Sequence, residues 1–448
     1  MRKLFGTDGV RGTANLEPMT SETAMQLGRA AAHIFMRRAG RHQIVIGKDT
    51  RVSGYMLEAA LMSGICSMGV DVLLVGPLPT PAIAFLARSL RADAGVMISA
   101  SHNPYQDNGI KFFSNDGLKL PDEIEARIEE LIVSNEIAHL RPTADAIGKA
   151  FRIDDAEGRY IEFVKRSLPK DLDFQGIKLV VDCANGAGYK VVPRTLTDLG
   201  AEIIPIGCSP NGRNINDGCG STSPSLLQLT VPGVRAAAGI ALDGDGDRLV
   251  MVDGLGRIVD GDQLIYIIAT ARKRAGTLQG PVVGTVMSNL GLEVALREQG
   301  IEFKRAAVGD RYVLSMLREF GGSVGGESSG HILLLDKTTT GDALMAGLQV
   351  LAVMRETKQG LAELAAGMQR FPQTMINVKV ARKFDPKTFP EVEDTVQKVS
   401  LRLGGDGRVV LRPSGTEPVI RVMVEARDET DTLRCAEEIA AVVRRVAS

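Results

Sequence analysis

One pattern of strand, turn, helix and strand occurs three times along this chain, and it constrains the fold more than any single motif. Ile44–Asp49, Leu179–Ala184 and Val282–Met287 each read as a short apolar strand running into a small or polar turn, with a helical stretch behind it. Each then reaches a glycine and a second strand, at Gly69–Val75, Gly200–Ile206 and Gly300–Ala306. Each unit next approaches a polar loop, at Ser99–Pro104, Asp243–Arg248 and Glu327–His331. Two of these loops lead into hairpin-like segments, Ile110–Leu120 turning at Asn115-Asp116-Gly117 and Leu249–Val259 turning at Asp253-Gly254. Ile332–Leu335 followed by Thr338–Gly341 fits the pattern more loosely. Strands separated by helices imply βαβ units and mixed, mainly parallel sheets, and repetition of the unit implies tandem related α/β domains.

Within the first unit, Thr20–Arg37 reads as a helix with Ala24, Leu27, Ala31 and Ile34 on one face. Gln43–Ile46, Asp71–Val75 and Ala94–Ile98 read as strands, with a helix starting near Gly54. The tail has a different grammar. Thr374–Ala381, Arg408–Leu411 and Val419–Glu425 are strand-like, and Pro390–Leu403 and Asp428–Val446 are helical, which makes a smaller α+β domain. The division expected is 1–150, 151–255, 256–369 and 370–448. A chain of 448 residues exceeds what one core normally supports, in keeping with several domains.

Composition removes several function classes. The 44% hydrophobic and 24% charged residues are those of a globular protein, and a net charge of −1 gives no general attraction to nucleic acid or anionic lipid. Any anion site must be built locally. Met1–Gly6 lacks the apolar run of a signal peptide, and no stretch approaches about 18 uninterrupted apolar residues, so neither a membrane nor a nucleic acid is an expected partner. Cys66, Cys183, Cys208, Cys219 and Cys435 form an odd set without C-x-x-C spacing, read as reduced thiols of a cytoplasmic protein. Cys183, beside Asp182 at a strand end, is read as packing rather than chemistry.

The run Asp243-Gly-Asp245-Gly-Asp247-Arg248 is the most informative motif. In an extended loop the side-chain period of two puts the three carboxylates on one side. At about 5 Å each pair repels by roughly 3 kcal/mol at an effective dielectric near 20, so a cation or raised pKa values must relieve the site. An all-oxygen set favours a hard ion such as Mg²⁺. The calcium loop of an EF-hand is excluded, because its closing acidic position falls on Gly254. A solvated acidic turn is the plainer alternative.

Ser99-Ala-Ser101-His102-Asn103-Pro104 follows an apolar strand, where ligands of parallel sheets collect, and Pro104 favours an exposed loop. His102 adjoins Ser101 without any sign of orientation as a base, and no G-x-S-x-G elbow surrounds the serine. On chemistry alone a structural turn is the simpler reading. Arg412-Pro-Ser414-Gly415-Thr416-Glu-Pro418, with Arg421 on the next strand, offers a guanidinium, hydroxyls and backbone N–H groups to a phosphate or carboxylate, or is an ordinary hairpin loop. Gly325-Gly-Glu327-Ser328-Ser329-Gly-His331 offers a carboxylate and hydroxyls suited to sugar hydroxyls, or is a polar turn. Phe5-Gly-Thr-Asp8-Gly-Val-Arg11-Gly12 brings an arginine near the chain start, and by itself reads equally well as a turn.

Taken in order, these stretches resemble the α-D-phosphohexomutase family across essentially the whole chain. Its members carry a phosphoserine loop, a D-G-D-G-D-R metal loop, a G-E-x-S-G-like sugar loop and an R-P-S-G-T-E-P-like phosphate loop, one from each of four domains around a central cleft. The resemblance implies that Ser101, rather than Ser99, carries a phosphoryl group. It implies Mg²⁺ held by Asp243, Asp245, Asp247 and a phosphate oxygen on Ser101. Arg11, His102, Lys111 and Arg248 would surround the transferring group, with Lys111 or His102 as proton acceptor. Glu327 and Ser329 would read sugar hydroxyls, and Arg412, Ser414, Gly415, Thr416 and Arg421 would grip the phosphate that is not reacting.

F-G-T-D-G-V-R-G at Phe5–Gly12 and S-A-S-H-N-P-Y-Q-D-N-G-I-K-F-F at Ser99–Phe113 are similar to the amino-sugar branch of the family. Ser328 stands where that branch usually carries Gln. The expected activity is interconversion of glucosamine 6-phosphate and glucosamine 1-phosphate through a 1,6-bisphosphate. The expected partner is a phosphosugar, and a homodimer is allowed. The rivals are a phosphomannomutase or phosphoglucomutase, a phosphatase that releases inorganic phosphate, and a sugar-phosphate binder that never acquires phosphate on Ser101.

Overall fold

The fold is described from a computed structural model, which covers residues 4–6, 8–36, 40–134, 136–380, 384–413 and 418–447. The first unit contributes β1 (Val10–Thr13), β2 (Gln43–Lys48), β3 (Asp71–Pro77), β4 (Ala94–Ile98), β5 (Asp107–Ser114) and β6 (Ala150–Arg152), arranged as β1-β5-β4-β2-β3-β6. The second holds β7 (Lys178–Asp182), β8 (Glu202–Ile206), β9 (Ala238–Leu242), β10 (Leu249–Asp253) and β11 (Ile258–Val259), in the order β11-β10-β9-β7-β8. The third holds β12 (Val282–Thr285), β13 (Phe303–Ala306), β14 (Val324–Gly326) and β15 (Ile332–Leu334), in the order β13-β12-β14-β15.

The recurrence read from the sequence is therefore a recurrence of topology. In each sheet the first strand of the pattern lies between its two parallel partners: β2 between β3 and β4, β7 between β8 and β9, β12 between β13 and β14. An antiparallel strand then follows the polar loop, β5 on β4, β10 on β9 and β15 on β14. The polar loops consequently leave equivalent strand ends in all three units. The tail is an antiparallel sheet, β16 (Gln373–Lys379), β17 (Gly407–Pro413) and β18 (Val419–Ala426) in the order β16-β18-β17, packed by helices Pro390–Leu403 and Glu429–Ala447.

Local chemistry sets the helix starts. Thr20 accepts from Thr23 N ahead of helix Ser21–Phe35, Asp260 and Gln263 form a reciprocal capping box ahead of Gly261–Arg274, and Asp342 accepts from Met345 N ahead of Ala343–Thr357. The expected helix from Thr20 ends at Phe35, with Met36 as its cap. Thr338–Gly341 is not a strand, and the third unit's antiparallel pairing is limited to Ile332–Leu334. The Phe5–Gly12 run, for which a turn is one of two open readings, includes the start of edge strand β1, which pairs with β5 through Val10↔Ile110. That pairing was illegible because four residues rich in glycine and arginine carry no strand alternation.

One apolar cluster runs through all three α/β units, from Val45 and Leu73 through Leu179 and Ile240 to Val282, Leu348 and Met368. A second covers the other face of the first sheet, and the tail has its own. The first three units thus share a core and hold their loops in fixed relation. Among the described residues no helix is long and apolar enough to cross a membrane.

Candidate functional site

The polar loops after β4 and β9 meet. Ser101 Oγ donates to Asp243 Oδ2 at 2.5 Å, across 142 residues of sequence, and lies 3.3 Å from His102 Nδ1. Ser101 was expected on an exposed loop, yet it is only 2% accessible. The reason is the second unit, whose Asp loop packs directly on it. Gly244 is the residue that permits this approach, since a Cβ there would stand 2.6 Å from Ser101 O.

The three carboxylates converge, but not by alternation along an extended strand. The loop folds back, with Gly246 N–H on Asp243 O at 3.1 Å and φ +69° at Gly246, while Asp247 N and Arg248 N both donate to Asp243 Oδ1 at 3.2 Å. One oxygen from each of Asp243, Asp245 and Asp247 lies within 4.8 Å of the others, and all three residues are buried. Asp245 Oδ1 and Asp247 Oδ1 have no hydrogen-bond donor among the described residues. Buried carboxylate oxygens normally have partners, so these two lone acceptors beside a third carboxylate fit a divalent cation. Burial, then Asp247 and Asp245, push the Asp243 carboxyl well above its ordinary range, which is the repulsion a cation would relieve.

Cationic groups ring the cluster. Lys111, projecting from β5, meets Asp245 Oδ2 at 2.8 Å, Asp8 Oδ2 at 3.1 Å and Asp247 Oδ2 at 4.0 Å. Burial alone would lower its pKa, but Asp245, Asp8 and Asp247 outweigh that and raise it, so it stands as an ammonium. Arg11 pairs with Asp8. The His102 pKa is lowered to about 4 by burial, then by Arg248 and Arg11, which keeps the imidazole neutral near pH 7 and puts both arginines in its field. Arg248 is raised because Asp247, Asp243 and Glu327 outweigh the effect of its burial.

Glu327 Oε1 accepts from Gly309 N at 3.0 Å, and Ser329 is exposed on the same loop. This loop is seated on the second unit by Leu249 N–H to Gly330 O at 3.0 Å, immediately after Arg248. Ser101, His102, Lys111, Arg11, Arg248, the three aspartates and Glu327 are thereby brought into one constellation. In the tail, Arg412 and Arg421 sit opposite each other on β17 and β18, and burial followed by Arg421 lowers the Arg412 pKa. Ser414, Gly415 and Thr416 lie outside the described residues.

Sequence reasoning passed over several participants. Lys119 joins Asp8 at 2.7 Å to Asp310 at 2.6 Å, and His331 spans Asp310 at 3.4 Å and Asp247 at 3.6 Å. With Lys111 these close a ring of alternating charge through three units. Thr80 Oγ1 donates to Asp245 Oδ2 at 2.6 Å. None of these carries a local signal, because each partner comes from a different part of the chain. Cys183 is fully buried and packs within the shared core.

Four descriptions of one family match the chain in succession. Phosphoglucomutase/phosphomannomutase alpha/beta/alpha domain I covers 2–138, domain II 158–256, domain III 260–371 and the C-terminal domain 375–442. Phosphoglucosamine mutase of Syntrophotalea carbinolica is 58% identical over 446 residues, covering 99% of this chain and 98% of that protein. Phosphoglucosamine mutase of Desulfotalea psychrophila is 52% identical over 453 residues, covering both chains fully. Among solved structures, a phosphoglucomutase/phosphomannomutase family protein from Burkholderia thailandensis superposes with TM-score 0.82 at 25% identity, over 99% of this chain and 97% of that one. The N-acetylphosphoglucosamine mutase of Aspergillus fumigatus, solved with GlcNAc-6P and magnesium, shares the fold at TM-score 0.67 and 18% identity, over 99% and 96% of the two chains.

Proposed function

The chain belongs to the phosphoglucomutase/phosphomannomutase family, the α-D-phosphohexomutases, and from that premise we propose that it is a phosphoglucosamine mutase. It is an isomerase that moves a phosphoryl group between two positions of one sugar. The observation that carries the reading is the 2.5 Å contact between Ser101 Oγ and a carboxylate of the buried aspartate cluster, two groups brought together from separate units.

In the forward half-reaction the P–Oγ bond of phospho-Ser101 breaks as a bond forms from phosphorus to O1 of glucosamine 6-phosphate. The O1 proton passes to a neighbouring base, and the serine regains a proton. The resulting 1,6-bisphosphate turns over and returns its 6-phosphate to Ser101, leaving glucosamine 1-phosphate. Of the two candidates, Lys111 is held as an ammonium by three carboxylates and has no lone pair to offer, which leaves neutral His102 as the proton acceptor. Lys111, Arg11 and Arg248 would neutralise charge on the equatorial oxygens, the main task in phosphoryl transfer. Asp243, Asp245 and Asp247 would hold Mg²⁺, which supplies Lewis-acid neutralisation of phosphoryl charge. Glu327 and Ser329 would read sugar hydroxyls. Arg412 and Arg421, with Ser414, Gly415 and Thr416, would hold the spectator phosphate. The division at 1–150, 151–255, 256–369 and 370–448, a cytoplasmic setting and a free phosphosugar as the ligand belong to the same proposal.

The amino sugar is favoured over mannose or glucose because relatives 52–58% identical over the full chain are phosphoglucosamine mutases. The test is to incubate the phosphorylated protein with glucosamine 6-phosphate and Mg²⁺ and to assay the 1-phosphate. Turnover should vanish in Ser101→Ala. Unchanged turnover in that variant, or release of inorganic phosphate in place of an isomer, would overturn the proposal.

A further inference from the structure

Behind Ser101 stands a group of polar side chains that phosphoryl transfer itself does not use. Ser101 has φ +51°, a left-handed backbone that serine keeps only where its surroundings hold it. Its peptide is pinned at both ends. The Ser101 N–H donates to Ser99 Oγ at 2.9 Å, and the Ser99 hydroxyl donates to Asp49 Oδ2 at 2.6 Å. The Ser101 carbonyl accepts from Arg51 Nη2 at 3.0 Å and from Asn216 Nδ2 at 2.9 Å. The same two nitrogens reach Asn103 O at 2.9 and 3.0 Å, and Arg51 Nη1 takes Pro104 O at 2.5 Å.

Arg51 is fully buried, and its remaining nitrogen, Nε, donates to Asp49 Oδ2 at 2.9 Å. Each of its side-chain nitrogens is thus engaged within the protein, on Asp49 and on the carbonyls of Ser101, Asn103 and Pro104. Asn216 comes from the second unit, next to the aspartate loop, where the position of a Cβ on Gly244 would fall 2.8 Å from its Nδ2. Two side chains from two units therefore hold the same carbonyls on the strained turn.

We infer that Arg51 and Asn216 are positioning residues for the phosphoryl-carrying serine. Arg51 ties the turn to its own sheet, and Asn216 locks it against the metal-binding loop. Release of the carbonyls lets the Ser101 peptide relax to negative φ and swings Oγ away from Asp243. Ser99 acts in the same frame, through the peptide N–H and not as a carrier. The inference rests on the reading of Ser101 as the phosphoryl carrier.

Asn216→Gly is the decisive variant, because Asn216 has φ +58°, which glycine keeps while losing only the amide. Its kinetics with glucosamine 6-phosphate, Mg²⁺ and glucose 1,6-bisphosphate are compared with wild type and Ser101→Ala. Misplacement of a reacting atom by an ångström costs on the order of 100-fold, so kcat should fall roughly 10- to 100-fold with KM within about twofold. Rapid-quench transfer from the phosphoenzyme should slow by the same factor while the melting temperature is held, and Arg51→Lys should move in the same direction. Wild-type kcat in Asn216→Gly overturns the inference, and so does a raised KM at wild-type kcat, which would make Asn216 a substrate contact. Failure of the underlying reading looks different: wild type does not isomerise the sugar, or Ser101→Ala matches wild type.

Discussion

Ser101 and Asp243 lie 142 residues apart, and what joins them is the absence of a side chain at Gly244. A methyl at that position would sit 2.6 Å from Ser101 O, closer than atoms tolerate, so either the serine turn or the aspartate loop has to withdraw. Gly244→Ala is expected to cost about 1–3 kcal/mol of stability, and roughly 100-fold in kcat because the two loops separate. Urea unfolding and steady-state kinetics on one preparation check both, and a variant with wild-type kcat would show that the approach is not needed for turnover. At this scale the residue types were informative about chemistry, while the proximity of Ser101 to the aspartates was implied only by the family resemblance. The acidic run was legible as a candidate site for a hard cation from its residue types alone. The lone oxygens of Asp245 and Asp247 and the His331–Asp310–Lys119 links were not, because they depend on which side chains happen to lie opposite.

Strands and helices were the most legible part of the molecule. Ala94–Ile98 and Pro390–Leu403 occur with the ends the pattern gave, since an apolar run bounded by turn residues, or a helix opened by proline, is specified locally. Edge elements such as β1 and β6 were missed, because a short strand at a sheet margin is stabilised by its neighbour more than by its own pattern. Helix Ala343–Thr357 carries a prediction. Its cap, Asp342, is buried and accepts from Tyr160 Oη at 2.9 Å, and burial raises its pKa to about 6. A carboxyl whose folded pKa exceeds the unfolded value stabilises the protein most below the unfolded pKa, near 4, and that contribution is lost as pH rises through 6. Asp342→Asn cannot ionise and escapes the loss. Its stability should exceed wild type by roughly 2–3 kcal/mol at pH 7.5 and approach it towards pH 4. Urea denaturation across that range tests the sign, and a difference independent of pH would refute it.

In the whole molecule, the aspartate loop is held by backbone from three units at once: Thr80 N–H on Asp245 O at 2.8 Å, Ala187 N–H on Gly244 O at 2.8 Å and Ala343 N–H on Gly246 O at 3.2 Å. The tail is attached differently. Arg408 reaches Val286 O at 3.1 Å and Ser288 O at 2.9 Å and pairs with buried Glu425, which also accepts from Asn289 Nδ2 at 3.2 Å. A polar junction of this kind can open without exposing the shared core. Arg408→Ala leaves the Glu425 carboxylate without its ion-pair partner, at a cost of roughly 3–5 kcal/mol. Calorimetry should then show the tail melting ahead of the rest, and a single unchanged transition would count against the junction. The sequence by itself determined the tandem units, the succession of strands and helices along them and the chemical character of each loop, because those follow from neighbours a few residues apart. Only the tertiary structure decided that Ser101 is buried, that the charges close into a ring and that two units grip one turn, because burial and electrostatic fields sum over contacts between segments the chain keeps far apart.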